Sequence, residues 1–199
     1  MQNSTIFKEI MRNIAIFASG SGTNAENLIR FFRKSPFGEV SLVLTNRPDA
    51  GVIQRAQSND IECIVFNRQQ FYETNEVIDL LVERGIEFVV LAGFLWLVPD
   101  KLLELFDNKI VNIHPALLPK YGGKGMYGHF VHEAVISNAE EESGITIHYV
   151  NNRYDEGDVI RQARCKVESD DTPHTLASKI HALEDEHFPK AVEALLKNL

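Results

Sequence analysis

Asn112 and His114 are the residues of this chain best suited by type and spacing to do chemistry. They stand two apart at the end of the apolar run Ile110-Val111-Asn112-Ile113-His114, so an extended backbone turns both side chains to one face. An amide supplies N–H donors for a developing oxyanion, and an imidazole supplies a donor or an acceptor near neutral pH. Pro115 and Pro119 then end any regular structure. The same residues taken alone also fit a capped strand end with a surface histidine. The segments elsewhere in the chain decide between the two.

The first such segment is Ser19-Gly20-Ser21-Gly22-Thr23-Asn24. It follows the apolar run 13–18 and precedes a helical pattern over 25–34. A loop between a strand and a helix N-terminus aims backbone N–H groups and the positive end of a helix dipole at one place, which suits a phosphate. Thr23 and Asn24 add side-chain donors. The loop does not match the nucleotide-hydrolase pattern G-x-x-x-x-G-K-[ST]. No acid ends the second strand, where a dinucleotide site would hold its ribose.

The second segment is the polar turn Asn151-Asn152-Arg153-Tyr154-Asp155-Glu156-Gly157-Asp158. A carboxylate beside an imidazole raises its pKa and favours imidazolium. Asp155 is the candidate partner of His114 and Asp158 the second; spacing leaves both open. The third segment is Phe94-Leu95-Trp96-Leu97-Val98. It follows a uniformly apolar strand, at the edge where ligand crevices form in parallel sheets, and reads as an apolar wall for a flat ring or as ordinary core.

These segments need elements to position them. Strands are expected at 13–18, 40–45, 63–66, 88–92 and 110–113, and helices at 25–34, 50–59, 71–84 and 99–106. The alternation implies an α/β fold: a doubly wound, mostly parallel sheet with helices on both faces. Four glycines and two lysines fall in the nine residues 120–128. A loop of that composition can lie against a ligand and close over it. A helix over 129–137 follows. The runs 146–150 and 159–167 read as an antiparallel pair at the sheet edge, and 173–199 as a long helix bent near Pro189.

Composition sets the outer limits. The chain has 199 residues, 44% of them hydrophobic, enough for a single domain over 1–199. A net charge of −8 argues against a broad nucleic-acid surface. Cys63 and Cys165 form no CxxC pair and read as reduced thiols of a cytoplasmic protein. No run reaches the roughly 18 apolar residues of a membrane span. The stretch Met1 to Arg12 lacks the apolar core of a signal peptide and is read as an extension or short helix. No His, Cys and acid cluster has metal-ligand spacing, so no metal is expected.

Five ordered motifs carry a resemblance across nearly the whole chain. They are Ser21-Gly22-Thr23-Asn24, Val90-Leu91-Ala92-Gly93-Phe94, Asn112-Ile113-His114-Pro115-Ala116-Leu117-Leu118-Pro119, Gly144-Ile145-Thr146-Ile147-His148 and Asp155-Glu156-Gly157-Asp158-Val159-Ile160. In these the chain resembles the phosphoribosylglycinamide formyltransferase family, folate-dependent enzymes of purine biosynthesis. The resemblance implies formyl transfer from 10-formyltetrahydrofolate to the amine of glycinamide ribonucleotide. It makes Asn112, His114 and Asp155 the catalytic trio. Asn112 would donate to the oxyanion, and His114, held as imidazolium by Asp155, would handle the proton.

By the same resemblance, Gly22, Thr23 and Asn24 hold the substrate phosphate and Glu184 contacts the glycinamide substrate. Phe94, Leu95, Trp96, Leu97 and Val98, with Asn112, line the folate pocket. The Leu118–Pro119 bond is a candidate cis peptide. His148, on an alternating strand, is expected to stand behind the reacting residues. Partners are the ribonucleotide and the reduced folate, with no nucleic acid and no membrane, in a monomer or homodimer. The rival readings are a formyltransferase acting on a sugar nucleotide and a non-catalytic nucleotide-binding module.

Overall fold

The computed structural model describes residues 11–199. The extension or short helix expected over Met1 to Arg12 lies outside the described residues, apart from its last two. Seven strands form one sheet in the order β3-β2-β1-β4-β5-β6-β7. They are β1 (Arg12–Phe17), β2 (Gly38–Thr45), β3 (Glu62–Val65), β4 (Phe88–Leu91), β5 (Ile110–His114), β6 (Glu142–Tyr149) and β7 (Val159–Lys166). β1 to β5 pair in parallel, and β6 and β7 add antiparallel. This is the mixed, doubly wound sheet expected from the sequence. The chain steps outward from β1 through β2 to β3, then returns to place β4 on the other side of β1. Adjacent connections therefore leave in opposite directions between β1 and β4, and a crevice opens at the carboxyl ends of those strands.

Two helix layers cover the sheet. On one face lie α1 (Thr23–Phe32), α2 (Val52–Ser58), α6 (His129–Ser137) and α7 (Pro173–Leu196). Their apolar sides pack on Ile14, Ile16, Val90, Val111, Ile113, Ile145 and Ile147. On the other face lie α3 (Arg68–Tyr72), α4 (Glu76–Glu83) and α5 (Asp100–Leu105), packed on Ala15, Phe17, Leu42, Leu44, Val89 and Leu91. Side-chain alternation along a strand fixes the rest. Because Val111 and Ile113 enter the first core, Asn112 and His114 must point to the second face.

One expected helix, 71–84, is two. α3 starts earlier because Asn67 and Gln70 form a reciprocal capping box. It ends where Thr74 Oγ1 donates to the Glu76 carboxylate at 3.1 Å and accepts the Glu76 N–H at 3.3 Å. Local bonds of this kind compete with the helical ladder. β6 also begins earlier than expected, at Glu142, where it pairs with Lys166 of β7. α7 runs to Leu196 with Pro189 inside it. Among the described residues, no helix is long and apolar enough to cross a membrane.

Candidate active site

Strand register assembles the centre. Asn112 of β5 lies opposite His148 of β6, and His114 lies opposite Thr146. Directly opposed residues share a face, so all four side chains stand together. The Asn112 amide nitrogen is 3.0 Å from His148 Nε2. His148 Nδ1 is 2.8 Å from the Tyr149 carbonyl oxygen and must carry the proton there, which leaves Nε2 to accept from Asn112. One N–H of the amide is thus used to orient the side chain and the other stays available. His148 is 2% exposed and stands behind Asn112.

His114 is held in the same way. Its Nε2 donates to the Tyr121 carbonyl oxygen at 2.7 Å. Nδ1 is therefore the nitrogen left for chemistry, and it faces Asp155 Oδ1 at 3.5 Å. This resolves the choice left open by spacing: Asp155 of the β6–β7 turn, not Asp158, brings its carboxylate to His114. Oδ1 is also 3.7 Å from His148 Nε2, and Oδ2 accepts the Gly123 backbone N–H at 2.9 Å. Asp155 sits at φ +58°, in the left-handed region, which costs on the order of 1–3 kcal/mol for a residue with a side chain. Gly157 lets the turn close this tightly, since a Cβ there would lie 1.7 Å from the Tyr149 carbonyl oxygen.

Two influences oppose each other at His114. His114 is 4% exposed, and burial lowers its pKa below the ordinary 6.5, although Asp155 and the Tyr121 carbonyl oppose the shift. Withdrawal from water outweighs one carboxylate at a distance longer than a hydrogen bond. Burial also raises the Asp155 carboxyl. Hydrogen bonding from His148 and the charge of His114, each when its ring is protonated, together with the Gly123 N–H overcome it and leave the pKa lowered. Burial thus works toward a neutral imidazole at His114, with Nδ1 turned to the carboxylate.

The loop Ser19-Gly20-Ser21-Gly22-Thr23-Asn24 occupies the other end of the same cleft. α1 begins at Thr23, and its N-cap Gly22 makes no side-chain capping bond, so the N–H groups of the first turn remain free. Gly22 has φ +79°, and a Cβ there would be 2.6 Å from Val52 at the start of α2. Ser19 is pinned elsewhere: its hydroxyl donates to Asn46 at 2.6 Å and accepts the Leu95 N–H at 3.1 Å. Asn24 donates to Glu184 of α7 at 2.9 Å, and its own Oδ1 is buried without a partner.

The cleft joining both ends has a volume of about 690 Å³ and is lined by Gly22, Thr23, Asn24, Asn112, His114, Asp155 and Glu184, among others. Of the expected apolar wall, Phe94 and Leu95 line it. Trp96, Leu97 and Val98 do not. Trp96 packs into the aromatic cluster with Phe66, Phe71 and Tyr72. The Leu97 carbonyl accepts the Tyr72 hydroxyl at 2.9 Å, and Val98 is buried core. Arg68 stacks over Tyr72 and Trp96 at 4.8 and 5.7 Å, outside the cleft lining.

Several lining residues were not singled out from the sequence. His132 of α6 is 4% exposed, and its Nδ1 has no protein partner. His181 lies one helical turn before Glu184 and is 2.9 Å from its Oε2, a contact that raises the His181 pKa. The His181–Glu184 spacing of three was the available signal. Lys124 and Met126, from the glycine-rich loop 120–128, and Tyr154, from the turn that carries Asp155, line the cleft as well. Among the described residues, no group of three or more His, Cys, Asp or Glu stands together to hold a metal ion.

The family model described as formyl transferase matches residues 12–192. A phosphoribosylglycinamide formyltransferase from Bacillus subtilis (strain 168) is 31% identical over 94% of this chain and 95% of its own length. The chain belongs to the phosphoribosylglycinamide formyltransferase family. The chloroplastic phosphoribosylglycinamide formyltransferase of Arabidopsis thaliana is 40% identical over 88% of this chain, which spans 62% of that plant protein. The crystal structure of the family member from Bacillus halodurans superposes with a TM-score of 0.82 at 38% identity, covering 93% of this chain and 95% of that one. The resemblance carried by the five motifs thus extends over most of the chain.

Proposed function

We propose that this protein transfers the formyl group of 10-formyltetrahydrofolate to the primary amine of glycinamide ribonucleotide, a step of purine biosynthesis. One observation carries the reading. An oriented amide, an imidazole and a carboxylate meet 3.5 Å or less from their neighbours, in the cleft that also holds a free helix N-terminus. The helix N-terminus and the Gly22-Thr23-Asn24 loop suit the phosphate of the ribonucleotide. Glu184 and His132, which also line the cleft, offer polar groups to the glycinamide part of the substrate. Phe94 and Leu95 give the folate ring an apolar wall, and the cleft has room for both molecules side by side.

When bound, the folate supplies a formyl carbon activated on nitrogen. The chain's own residues do the rest. The free N–H of Asn112 donates to the formyl oxygen as negative charge develops on it. Neutral His114 takes the proton of the attacking amine at Nδ1 and becomes imidazolium. Asp155 stabilises that charge, and the proton then passes from Nδ1 to the departing nitrogen. The new C–N bond replaces the old one, with no net proton change at the site. The lowered pKa of His114 suits it to begin as the base. Cys63 and Cys165 lie outside the cleft lining, so neither offers a nucleophile there.

The test is direct. Purified protein given 10-formyltetrahydrofolate and glycinamide ribonucleotide is expected to show the absorbance change of deformylated folate. No change at high enzyme concentration would overturn the reading. The relatives described above favour it over a sugar-nucleotide formyltransferase or a non-catalytic module. We further place the enzyme in the cytoplasm, as a single domain over 1–199 acting as monomer or homodimer and binding neither nucleic acid nor membrane. The net charge of −8 supports the absence of a nucleic-acid partner. Sedimentation of the purified protein reads the oligomeric state.

A further inference from the structure

The turn that follows His114 is held by two side chains that never reach the cleft. Thr146 and Gln162 lie opposite each other on β6 and β7, and Thr146 also lies opposite His114. The Thr146 hydroxyl donates to the Ala116 carbonyl oxygen at 2.7 Å. It accepts the Leu118 backbone N–H at 3.0 Å and the Gln162 amide N–H at 3.0 Å. A hydroxyl has one proton to give and two lone pairs, so this one is saturated. The Gln162 amide nitrogen also donates to the Leu118 carbonyl oxygen at 3.0 Å. Thr146 and Ala116 are both fully buried, so no solvent can replace a bond lost here.

The braced segment connects the two ends of one ring. It starts at His114 and returns at Tyr121, whose carbonyl oxygen takes the His114 Nε2–H. That bond decides which imidazole nitrogen is left to face Asp155. If the turn shifts, the Tyr121 carbonyl shifts with it, and the imidazole loses its fixed tautomer and aim. We propose that Thr146 and Gln162 are positioning residues for the reaction, acting through the turn 115–121 to hold His114 Nδ1 toward Asp155 and the cleft. This rests on the transferase reading above. Neither side chain is among the residues lining the cleft, so neither has a direct part in binding.

The experiment compares Thr146→Val, Thr146→Ser and Gln162→Leu with the unaltered enzyme. Valine has nearly the shape of threonine but leaves the Ala116 oxygen, the Leu118 N–H and one Gln162 N–H unpaired. Its kcat is expected to fall about 10- to 100-fold, as misaimed reacting groups do, while KM for the ribonucleotide stays within about twofold. The acid limb of its pH profile is expected to move with the altered His114. Thr146→Ser keeps the hydroxyl and should restore most of kcat. Gln162→Leu, which removes only the donors to Leu118 and Thr146, should fall between them, and it decides the matter should the valine variant not fold.

Folded variants with unchanged kcat and an unchanged pH profile would overturn the proposal, even if their Tm falls. The nitrogen shifts of the His114 ring read the tautomer without turnover. A wild-type ring protonated at Nε2 is expected, with mixed tautomers in the valine variant. The same tautomer in both would sink this inference alone. An inactive wild type with the expected ring shifts would sink the transferase reading and leave the brace standing.

Discussion

His114 Nδ1 and Asp155 Oδ1 face each other across 3.5 Å, with both side chains nearly withdrawn from water. That distance is too long for a made hydrogen bond and short enough for strong coupling of charge. The pair is therefore poised to change state when a proton arrives. Asp155→Asn keeps the shape and removes the charge. Its kcat should fall about 10²- to 10⁴-fold, the range associated with a lost acid–base partner, with little change in KM for the ribonucleotide. Asp158→Asn should stay within about twofold. A larger loss in the Asp158 variant would mean the wrong carboxylate has been assigned.

The pH profile carries the sign of the His114 shift. The imidazole must start neutral, and its pKa lies below the ordinary 6.5 because of burial. kcat/KM is expected to hold through neutral pH and to fall only as pH drops through that lowered value. In Asp155→Asn the opposing charge is gone, so the acid limb should move to still lower pH. An acid limb well above pH 6.5 in the unaltered enzyme would contradict a neutral starting imidazole.

Stability should follow the same direction. Burial is the largest cause of the lowered pKa of both His114 and His132. As pH falls through 6.5 the unfolded chain takes up protons at these positions before the folded one does, so unfolding is favoured. Their contribution is present above the unfolded value and lost as pH falls through the folded one. Asp155, with its lowered pKa, adds a loss below the ordinary 3.8. Thermal unfolding followed from pH 8 to pH 5 should show Tm falling on the acid side, and His132→Gln should make the fall shallower.

Asn112 and His148 can be separated by one comparison. Asn112→Asp keeps the outline and replaces the donors with acceptors. Its kcat should fall about 10²- to 10³-fold, as when an oxyanion donor is removed. His148→Phe leaves the Asn112 amide without its anchor at 3.0 Å, and a smaller loss of kcat with unchanged KM is expected. Steady-state kinetics of the two variants decide whether His148 acts through Asn112.

Gly22→Ala tests the other end of the cleft. The added Cβ would meet Val52 at 2.6 Å and adopt a positive φ, so the loop or α2 must move. KM for the ribonucleotide should rise about tenfold or more, with a smaller effect on kcat, as expected for loss of a phosphate cradle. A variant that folds and binds phosphate substrate as before would remove the loop from the binding site.

Periodicity and punctuation made much of this protein legible from its sequence. The apolar strands, the loop at 19–24, the two prolines after His114 and the alternation of 146–150 led directly to the sheet class and to the segments 19–24 and 112–115 that line the cleft. These are local properties: side-chain spacing along a strand and the conformational limits of Gly and Pro do not depend on distant contacts. The split of 71–84 was missed because Thr74 bonds to its neighbours where a periodic apolar pattern continues past it.

Tertiary structure decided whatever depends on register and burial. The pairing of Asn112 with His148 and of His114 with Thr146 and then Gln162 exists only because β5, β6 and β7 meet in one register. Asp155 was separated from Asp158 by the fold of a turn, not by spacing. At His114 burial opposes the nearby carboxylate, and of the two burial has the larger effect on its pKa. The cost of withdrawing an imidazolium from water is a sum over everything packed around it, and no local stretch of sequence contains that sum.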